Sequence, residues 1–265
     1  MTRTDEFGLT ELDHEIYARQ LRLPGFGPEE QGRLKRASVL VSRVGGLGGT
    51  SAMALARAGV GRLILAHDGV VEPENLNRMH LAFREDLGRP RVEAFRDTLK
   101  RINPDLEVVV TAENISDRNA VALFEQADVV IDGAPLFEER QAMNREAVRR
   151  GKPLVMAAMF ALEGYLTVIE PGSTPCLTCL YPEMPPQWTI DSFAVIACSS
   201  MVVATLAAME AIKLLTGYGE VLRNRLLYFD LTDNSFRKLK VSRRPDCPVC
   251  GHLPWPEVPA ATEFR

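Results

Sequence analysis

Residues 38–52 read SVLVSRVGGLGGTSA. A short apolar run, Val39-Leu40-Val41, enters a glycine cluster, Gly45, Gly46, Gly48 and Gly49, and small residues at helical spacing follow. Strand, glycine turn and helix form a layout that holds phosphate. Glycine lets backbone N–H groups approach the anion, and the helix N-terminus adds partial positive charge. A G-x-x-G on its own also serves ordinary turns. Here a second strand pattern, 62–66, ends in His67-Asp68, and that context reads as a mononucleotide site. The anomaly is Arg43, a long cation where the first glycine of such a turn is expected.

Outward from this stretch, strand and helix patterns alternate. Residues 12–35 read as helix, broken at Pro24-Gly25-Phe26-Gly27-Pro28. Strands follow at 39–42, 62–66, 107–111 and 128–132, with another beginning at 153–156. Helices fall at 46–58, 89–102, 117–126 and 138–150. The alternation predicts an α/β fold, a Rossmann-like doubly wound and mostly parallel sheet with helices on both faces. Beyond Gly164 the crossover pattern stops. Strands at 165–169, 226–229 and 236–241, with a long apolar helix at 195–215, predict an antiparallel C-terminal extension. The proline-rich LYPEMPPQW, 180–188, reads as a loop. The expected division is an N-terminal helical segment, 1–36, and a nucleotide-binding α/β domain, 37–163. An extension in the same globular unit, 164–252, and a tail, 253–265, complete it.

A chain of 265 residues with 46% hydrophobic and 25% charged residues has ample material for a core. Its net charge of −4 argues against bulk nucleic acid or anionic membrane as partners. The acidic, polar start MTRTDEFGLTELDHE reads as neither signal nor transit peptide. The longest apolar stretch, 193–209, is interrupted by Cys198, Ser199, Ser200 and Thr205, and reads as a buried helix rather than a membrane span. The expected location is cytoplasmic.

Of the five cysteines, four form two C-x-x-C pairs, Cys176/Cys179 and Cys247/Cys250. In an intracellular chain such pairs point to metal before disulfide. Together they supply the four thiolates of a closed, structural Zn2+ site. A redox role is weaker, because neither pair is expected to open a helix that would lower a thiol pKa. Cys198, alone in the apolar helix pattern, reads as a buried small hydrophobe.

In VVEPENLNRM, residues 70–79, Asn75 and Arg78 stand three apart and share a face if the stretch is helical. A cation and an amide beside a glycine loop suit a polyphosphate. His67 lies at the carboxyl end of a strand, where open α/β sheets bind ligands, and could stack on or hydrogen-bond to one. His14, His80 and His252 have no partner pattern and read as surface residues.

Taken in order, RQLRLPGFG, VGGLGG, VVEPENLNRM, DVVID, CLTC, AMEAIKLLTG and CPVCG resemble the MoeB/ThiF/HesA branch of the ubiquitin-activating superfamily. The resemblance runs from about Tyr17 to His252. It implies a homodimer that uses ATP with Mg2+ to adenylate the C-terminal glycine of a small ubiquitin-like or sulfur-carrier protein, releasing pyrophosphate. By the same resemblance, Arg19 reaches across the dimer to the γ-phosphate, and Gly45, Gly46 and Gly48 are the later glycines of the loop. Asn75 and Arg78 match the phosphate-contacting pair. Arg91 stands where the family has a phosphate-binding lysine, a swap that keeps charge but changes donor geometry. Arg19, Arg78 and Arg91 are then the catalytic cations that stabilise charge as pyrophosphate leaves.

Several positions depart from the family pattern. Arg43 replaces the first glycine. His67 and Gly69 replace the two ribose-side aspartates, leaving Asp68 between them. Pro135, in IDGAPLF, stands where an aspartate would hold magnesium, while Asp132 matches an earlier, more structural aspartate. The cysteine that some members use for a thioester or persulfide is absent from Thr189-Ile190-Asp191-Ser192. Two readings of Arg43 stay open. Its guanidinium enters the phosphate space in place of the lost metal, a contact worth roughly 1.5–3 kcal/mol. Alternatively it fills the cavity against an acid, Asp68 being the nearest strand-end candidate, since an unpaired buried guanidinium is costly. The expected function is ATP-dependent adenylation of a carrier C-terminus. The alternative is a catalytically degenerate relative serving as a dimeric scaffold or a ligand- or peptide-binding module. A nicotinamide-dependent dehydrogenase is a weak third reading, lacking an evident hydride-transfer partner.

Overall fold

The computed structural model describes residues 4–184 and 193–255. Helices α1 (Glu11–Ile16) and α2 (Pro28–Arg36) flank a 3-10 turn at Gln20–Arg22. There follow β1 (Ser38–Ser42), α3 (Gly46–Ala58), β2 (Arg62–Ala66), α4 (Arg91–Ile102), β3 (Glu107–Thr111), α5 (Ala120–Glu125), β4 (Val129–Asp132) and α6 (Phe137–Arg150). The C-terminal part comprises β5 (Leu154–Phe160), β6 (Glu163–Ile169), α7 (Leu177–Leu180), α8 (Ala197–Thr216), β7 (Arg225–Asp230) and β8 (Ser235–Lys240). The strands form one sheet in the order β3-β2-β1-β4-β5-β6-β7-β8. Pairing is parallel from β3 to β5 and antiparallel from β5 to β8. The doubly wound half and its antiparallel extension are thus one continuous sheet. Part of the proline-rich loop, 185–188, and Thr189 to Ser192 lie outside the described residues.

The helix expected from residue 12 to the break at 24–28 stops at Ile16, with Tyr17 as its C-cap and only a 3-10 turn beyond. Two more elements are shorter than their patterns, for local reasons. The helix expected at 117–126 begins only at Ala120 because the Asn119 side chain accepts from the Ser116 N–H at 2.8 Å and donates to the Asn114 carbonyl at 2.9 Å, fixing a turn instead. The helix expected from residue 89 starts at Arg91, after Pro90, while Arg89 turns outward to Asp86 and Asp97.

The central strands are apolar on both faces because helices cover both. Val39, Leu40, Val41, Leu63, Ile64 and Leu65 are all fully buried. On one face α3 packs on α8, an approach that the small residues of both helices permit, and Ser51 Oγ donates to the Ala204 carbonyl at 2.9 Å. Helix α8 is long and apolar enough to cross a membrane. Its Val203, Ala204, Ala207, Ala208 and Ala211 instead pack into the protein core. The expectation for Cys198 is corrected here. It is exposed, because the buried stripe runs through Ser199, Ser200, Val203 and Ala204, leaving Cys198 on the opposite face with Thr205 seven residues on.

Candidate nucleotide-type site and cysteine cluster

Between β1 and β4 the strand order changes direction, and loops after the two strands diverge to leave a crevice at their carboxyl ends. A cavity of about 230 Å³ lies there. Its polar wall carries Arg43, Gly45 and Gly46 from the β1–α3 turn, His67 from the end of β2, Asn75 and Arg78, and Arg91 from the start of α4. Its apolar wall carries Met79, Pro135, Phe137, Met159, Tyr165, Phe193 and Val195. Of the residues singled out from sequence, Gly48, Asp68 and Asp132 lie off this wall, and Arg19 is exposed elsewhere on the chain. Gly48 has a packing role: a Cβ there would stand 2.6 Å from the Arg43 carbonyl oxygen.

Arg43 occupies the glycine position by adopting glycine's backbone, with φ +50°. Its N–H donates to the Ala66 carbonyl at 2.8 Å and its own carbonyl accepts from Gly45 N–H at 2.6 Å. For an L side chain this conformation costs about 1–2 kcal/mol. The side chain offsets that cost through a two-pronged ion pair. Nε donates to Glu139 Oε2 at 2.8 Å and Nη2 to Oε1 at 2.5 Å, with both side chains nearly buried at 12% and 11% exposure. Asp68, the partner expected from sequence, is half exposed and contacts Nη1 only at 3.5 Å. The acid that holds Arg43 is therefore Glu139, from the first turn of α6, and the cavity beside the pair stays open.

Arg91 organises the rest of the polar wall. Nη2 donates to Glu72 at 2.7 Å, Nε to Asn75 Oδ1 at 3.2 Å, and Nη1 to His67 Nε2 at 3.3 Å. Because Arg91 occupies Nε2, the hydrogen-bond network assigns the His67 proton to Nδ1. That nitrogen makes no well-formed hydrogen bond, the Val44 backbone giving only a weak contact. Burial first, then Arg91 and Arg43, push His67 down to about 3, so it is neutral. Arg78 caps the 3-10 turn Pro73–Asn77, its N–H bonded to the Asn75 carbonyl at 3.1 Å, which puts both residues on one side of the turn. Burial also pulls its pKa below the ordinary value, with Arg91 adding to the effect against Glu74. The wall is a field of guanidiniums suited to an anion.

Behind this wall Asp132 is completely buried. Oδ1 accepts from the Ala134 N–H at 2.8 Å and Oδ2 from Arg140 Nη1 at 3.1 Å. Burial pushes its carboxyl up to about 6, against the pull of Arg140. Arg140 continues to the Ala157 carbonyl at 3.1 Å, tying α6 to β5. The residues around the loop do not fit the magnesium that the family pattern implies. Mg2+ wants carboxylate oxygens beside substrate phosphates. Pro135 offers none, Asp132 has both oxygens committed, Glu139 is bound to Arg43 and Glu72 to Arg91, and the remaining lining carboxylate, Glu74, is exposed in the field of Arg78.

Sequence reasoning missed Glu139 and Arg140 as members of the site. One signal could have found Glu139. A buried arginine in a glycine loop needs an acid from a facing element, and FEER, 137–140, follows directly on the strand-end loop that faces it.

The four paired cysteines form a second site. Their sulfurs all lie within 4.8 Å of one another, with Cys176–Cys247 at 3.6 Å, Cys179–Cys250 at 3.4 Å and Cys176–Cys179 at 4.0 Å. These separations rule out disulfide bonds at about 2.05 Å. They bracket the edge of a tetrahedron with ~2.3 Å metal–sulfur bonds, about 3.8 Å. The Arg244 N–H also donates to Cys179 Sγ at 3.4 Å. One expectation is corrected: Cys176 does open a helix, as the N-cap of α7, although that helix is only four residues long. The cluster joins this turn to the segment after β8 and is positioned for a metal.

The ThiF family matches residues 17–249. The chain belongs to that family. It is 46% identical over 248 residues to Protein HesA of Leptolyngbya boryana, covering 93% of this chain and 89% of that one. It is 40% identical over 252 residues to the sulfur carrier protein adenylyltransferase of Thermus thermophilus, covering 92% of each. Among solved structures, it resembles E. coli MccB crystallised with ATP, with a TM-score of 0.80 and 25% identity over 89% of this chain and 75% of that one. A crystal structure of MccB with MccA-N7isoASN gives a TM-score of 0.81 at 26% identity over the same shares of the two chains. Homologues of this chain are thus sulfur carrier protein adenylyltransferases and MccB-type enzymes.

Proposed function

We propose that this ThiF-family protein adenylates the C-terminal glycine of a small ubiquitin-like or sulfur-carrier protein with ATP. The observation that carries the reading is the two-sided cavity. At the carboxyl ends of β1, β2 and β4, Arg43, Arg78 and Arg91 converge with Asn75 and the N-terminus of α3, and an apolar wall leads away from them. A polyphosphate suits the first side and an extended peptide tail the second. In the reaction, a carboxylate oxygen of the carrier attacks the α-phosphorus. The new bond makes a mixed anhydride, and the bond from that phosphorus to the bridging oxygen breaks as pyrophosphate leaves. Guanidiniums placed where charge grows on the leaving group lower the barrier. His67, held neutral, adds no charge and would hydrogen-bond to or stack on the nucleoside. Gly45 and Gly46 leave room for phosphate, while Glu139 acts by holding Arg43 and Asp132 by holding Arg140.

The same reading includes a homodimer in the cytoplasm. Leu12, Ile16 and Leu23 are 58%, 59% and 46% exposed around Arg19, an apolar surface suited to a second copy and to an arginine delivered across it. The cysteine cluster takes structural zinc. The sulfur separations fit a tetrahedral ion, and the cluster would pin the segment after β8 to α7.

ATP–pyrophosphate exchange with candidate carriers ending in Gly-Gly tests the reading. Carrier-dependent exchange is the expected result. ATP binding without exchange by any carrier would instead assign the chain to the non-catalytic scaffold or binding-module class, and no ATP binding would remove the nucleotide altogether.

A further inference from the structure

The departure of the loop from a magnesium site has a positive counterpart. Arg43 has two usable edges. Glu139 occupies the Nε–Nη2 edge at 2.8 and 2.5 Å, which fixes the guanidinium plane. Nη1 has only the 3.5 Å contact to a half-exposed Asp68, and the residue lines the cavity. A planar guanidinium held along one edge and free along the other can take phosphate oxygens without losing its internal partner. Four arginines, Arg43, Arg78, Arg91 and Arg140, reach this wall; Glu139 pairs with Arg43 and Asp132 with Arg140 behind it, and Glu72 and Glu74 line it. Glu72 is bound to Arg91, and Glu74 is exposed beside Arg78.

Building on the nucleotide reading above, we infer that the site binds its polyphosphate without a protein-held divalent cation: Arg43, oriented by Glu139, offers its Nη1 edge to the phosphates in the metal's place. Glu139 is a positioning residue, because it acts through Arg43. The backbone supports the assignment. A residue at φ +50° favours glycine, so an arginine here keeps a strained conformation that a smaller demand on the side chain would not require.

The test is calorimetry of ATP binding to the full-length, metal-loaded protein. The buffer is freed of magnesium on a resin rather than with a soluble chelator, so that the cysteine site keeps its metal. The measurement is repeated with millimolar magnesium. The expected result is ATP binding of the same affinity in both. The Arg43→Gly variant suits the left-handed backbone and should bind ATP roughly 10- to 150-fold more weakly in the magnesium-free buffer, the factor carried by one charge-assisted contact. Glu139→Gln should weaken metal-free binding in the same direction, while Arg43→Lys should recover only part of the loss because it lacks the second edge. Inorganic tripolyphosphate, bound by the parent and not by Arg43→Gly, would place the effect on the phosphates. ATP binding that requires magnesium would overturn the inference while leaving the adenylation reading standing. So would unchanged metal-free affinity in Arg43→Gly. Absence of ATP binding in both buffers would remove the nucleotide reading and this inference with it.

Discussion

Arg43→Gly makes a stability prediction of either sign until magnitudes are compared. Glycine relieves the left-handed backbone at φ +50°, a gain of about 1–2 kcal/mol. The same change leaves Glu139, only 11% exposed, without the guanidinium that satisfies both its oxygens. Stripping one partner from a buried ion pair costs about 3–5 kcal/mol. Asp68, half exposed and 3.5 Å away, adds little to either side. The ion pair wins, and Arg43→Gly should be destabilised by about 1–4 kcal/mol. Glu139→Gln should also be destabilised, since it leaves a buried guanidinium with neutral acceptors. The double variant should lose less than the sum, with a coupling of about 1–3 kcal/mol. The assay is urea unfolding of the four metal-loaded proteins at neutral pH, read as midpoint shifts at unchanged slope. A double variant that loses the full sum would refute the pairing, and an Arg43→Gly protein more stable than its parent would show that strain outweighs the ion pair.

Further outcomes follow from other parts of the structure. Elemental analysis should find about one zinc per chain, and Cys176→Ser should lose most of it; a variant retaining full metal would contradict the ligand set. The His67 imidazole, pushed down to about 3 by burial and by Arg91 and Arg43, should stay neutral in nitrogen-edited NMR down to about pH 5. Its folded pKa lies below the unfolded value near 6.5, so the stability it contributes is present above about pH 6.5 and drains away as pH falls toward 3; a titration midpoint near 6.5 would refute its burial. Cys198 should be the one thiol that reacts rapidly with a disulfide reagent in the metal-loaded protein, the other four reacting only after metal removal; slow reaction of Cys198 would contradict its exposure.

Much of the architecture could be read from pattern because the physics behind it is local. The apolar triplet Val39-Leu40-Val41, the glycine turn and the small-residue helix after them place β1 and α3 where the structure has them. The C-x-x-C pairs announce their sulfur cluster because chelation fixes ligand type and spacing together. What sequence could not give was direction. Cys198 reads as buried from its apolar neighbours, yet the face it occupies depends on where α8 meets α3, a tertiary fact. Asp68 is the acid nearest Arg43 in sequence at the strand ends, but Glu139, 96 residues from Arg43, makes the bond. Long-range pairing of charges leaves no periodic trace, so only the position of FEER after a facing strand-end loop hints at it.

Helix α6 then carries more of the site than any motif on it suggests. Its first turn supplies Glu139 to Arg43 and Arg140 to Asp132. One turn further, buried Asn144 accepts from the Leu177 N–H at 2.9 Å and donates to Thr178 Oγ1 at 3.2 Å, between Cys176 and Cys179. The same helix therefore braces the arginine in the glycine loop and the turn that presents two of the four clustered sulfurs. A cation in place of the loop's first glycine is tolerable only if an acid is held rigidly opposite it, because a mobile carboxylate would not repay burial of the guanidinium. Anchoring α6 at both the sheet and the cysteine turn supplies that rigidity. On this argument the cysteine cluster, far from Arg43 in sequence, belongs to the reason Arg43 can stand where it does.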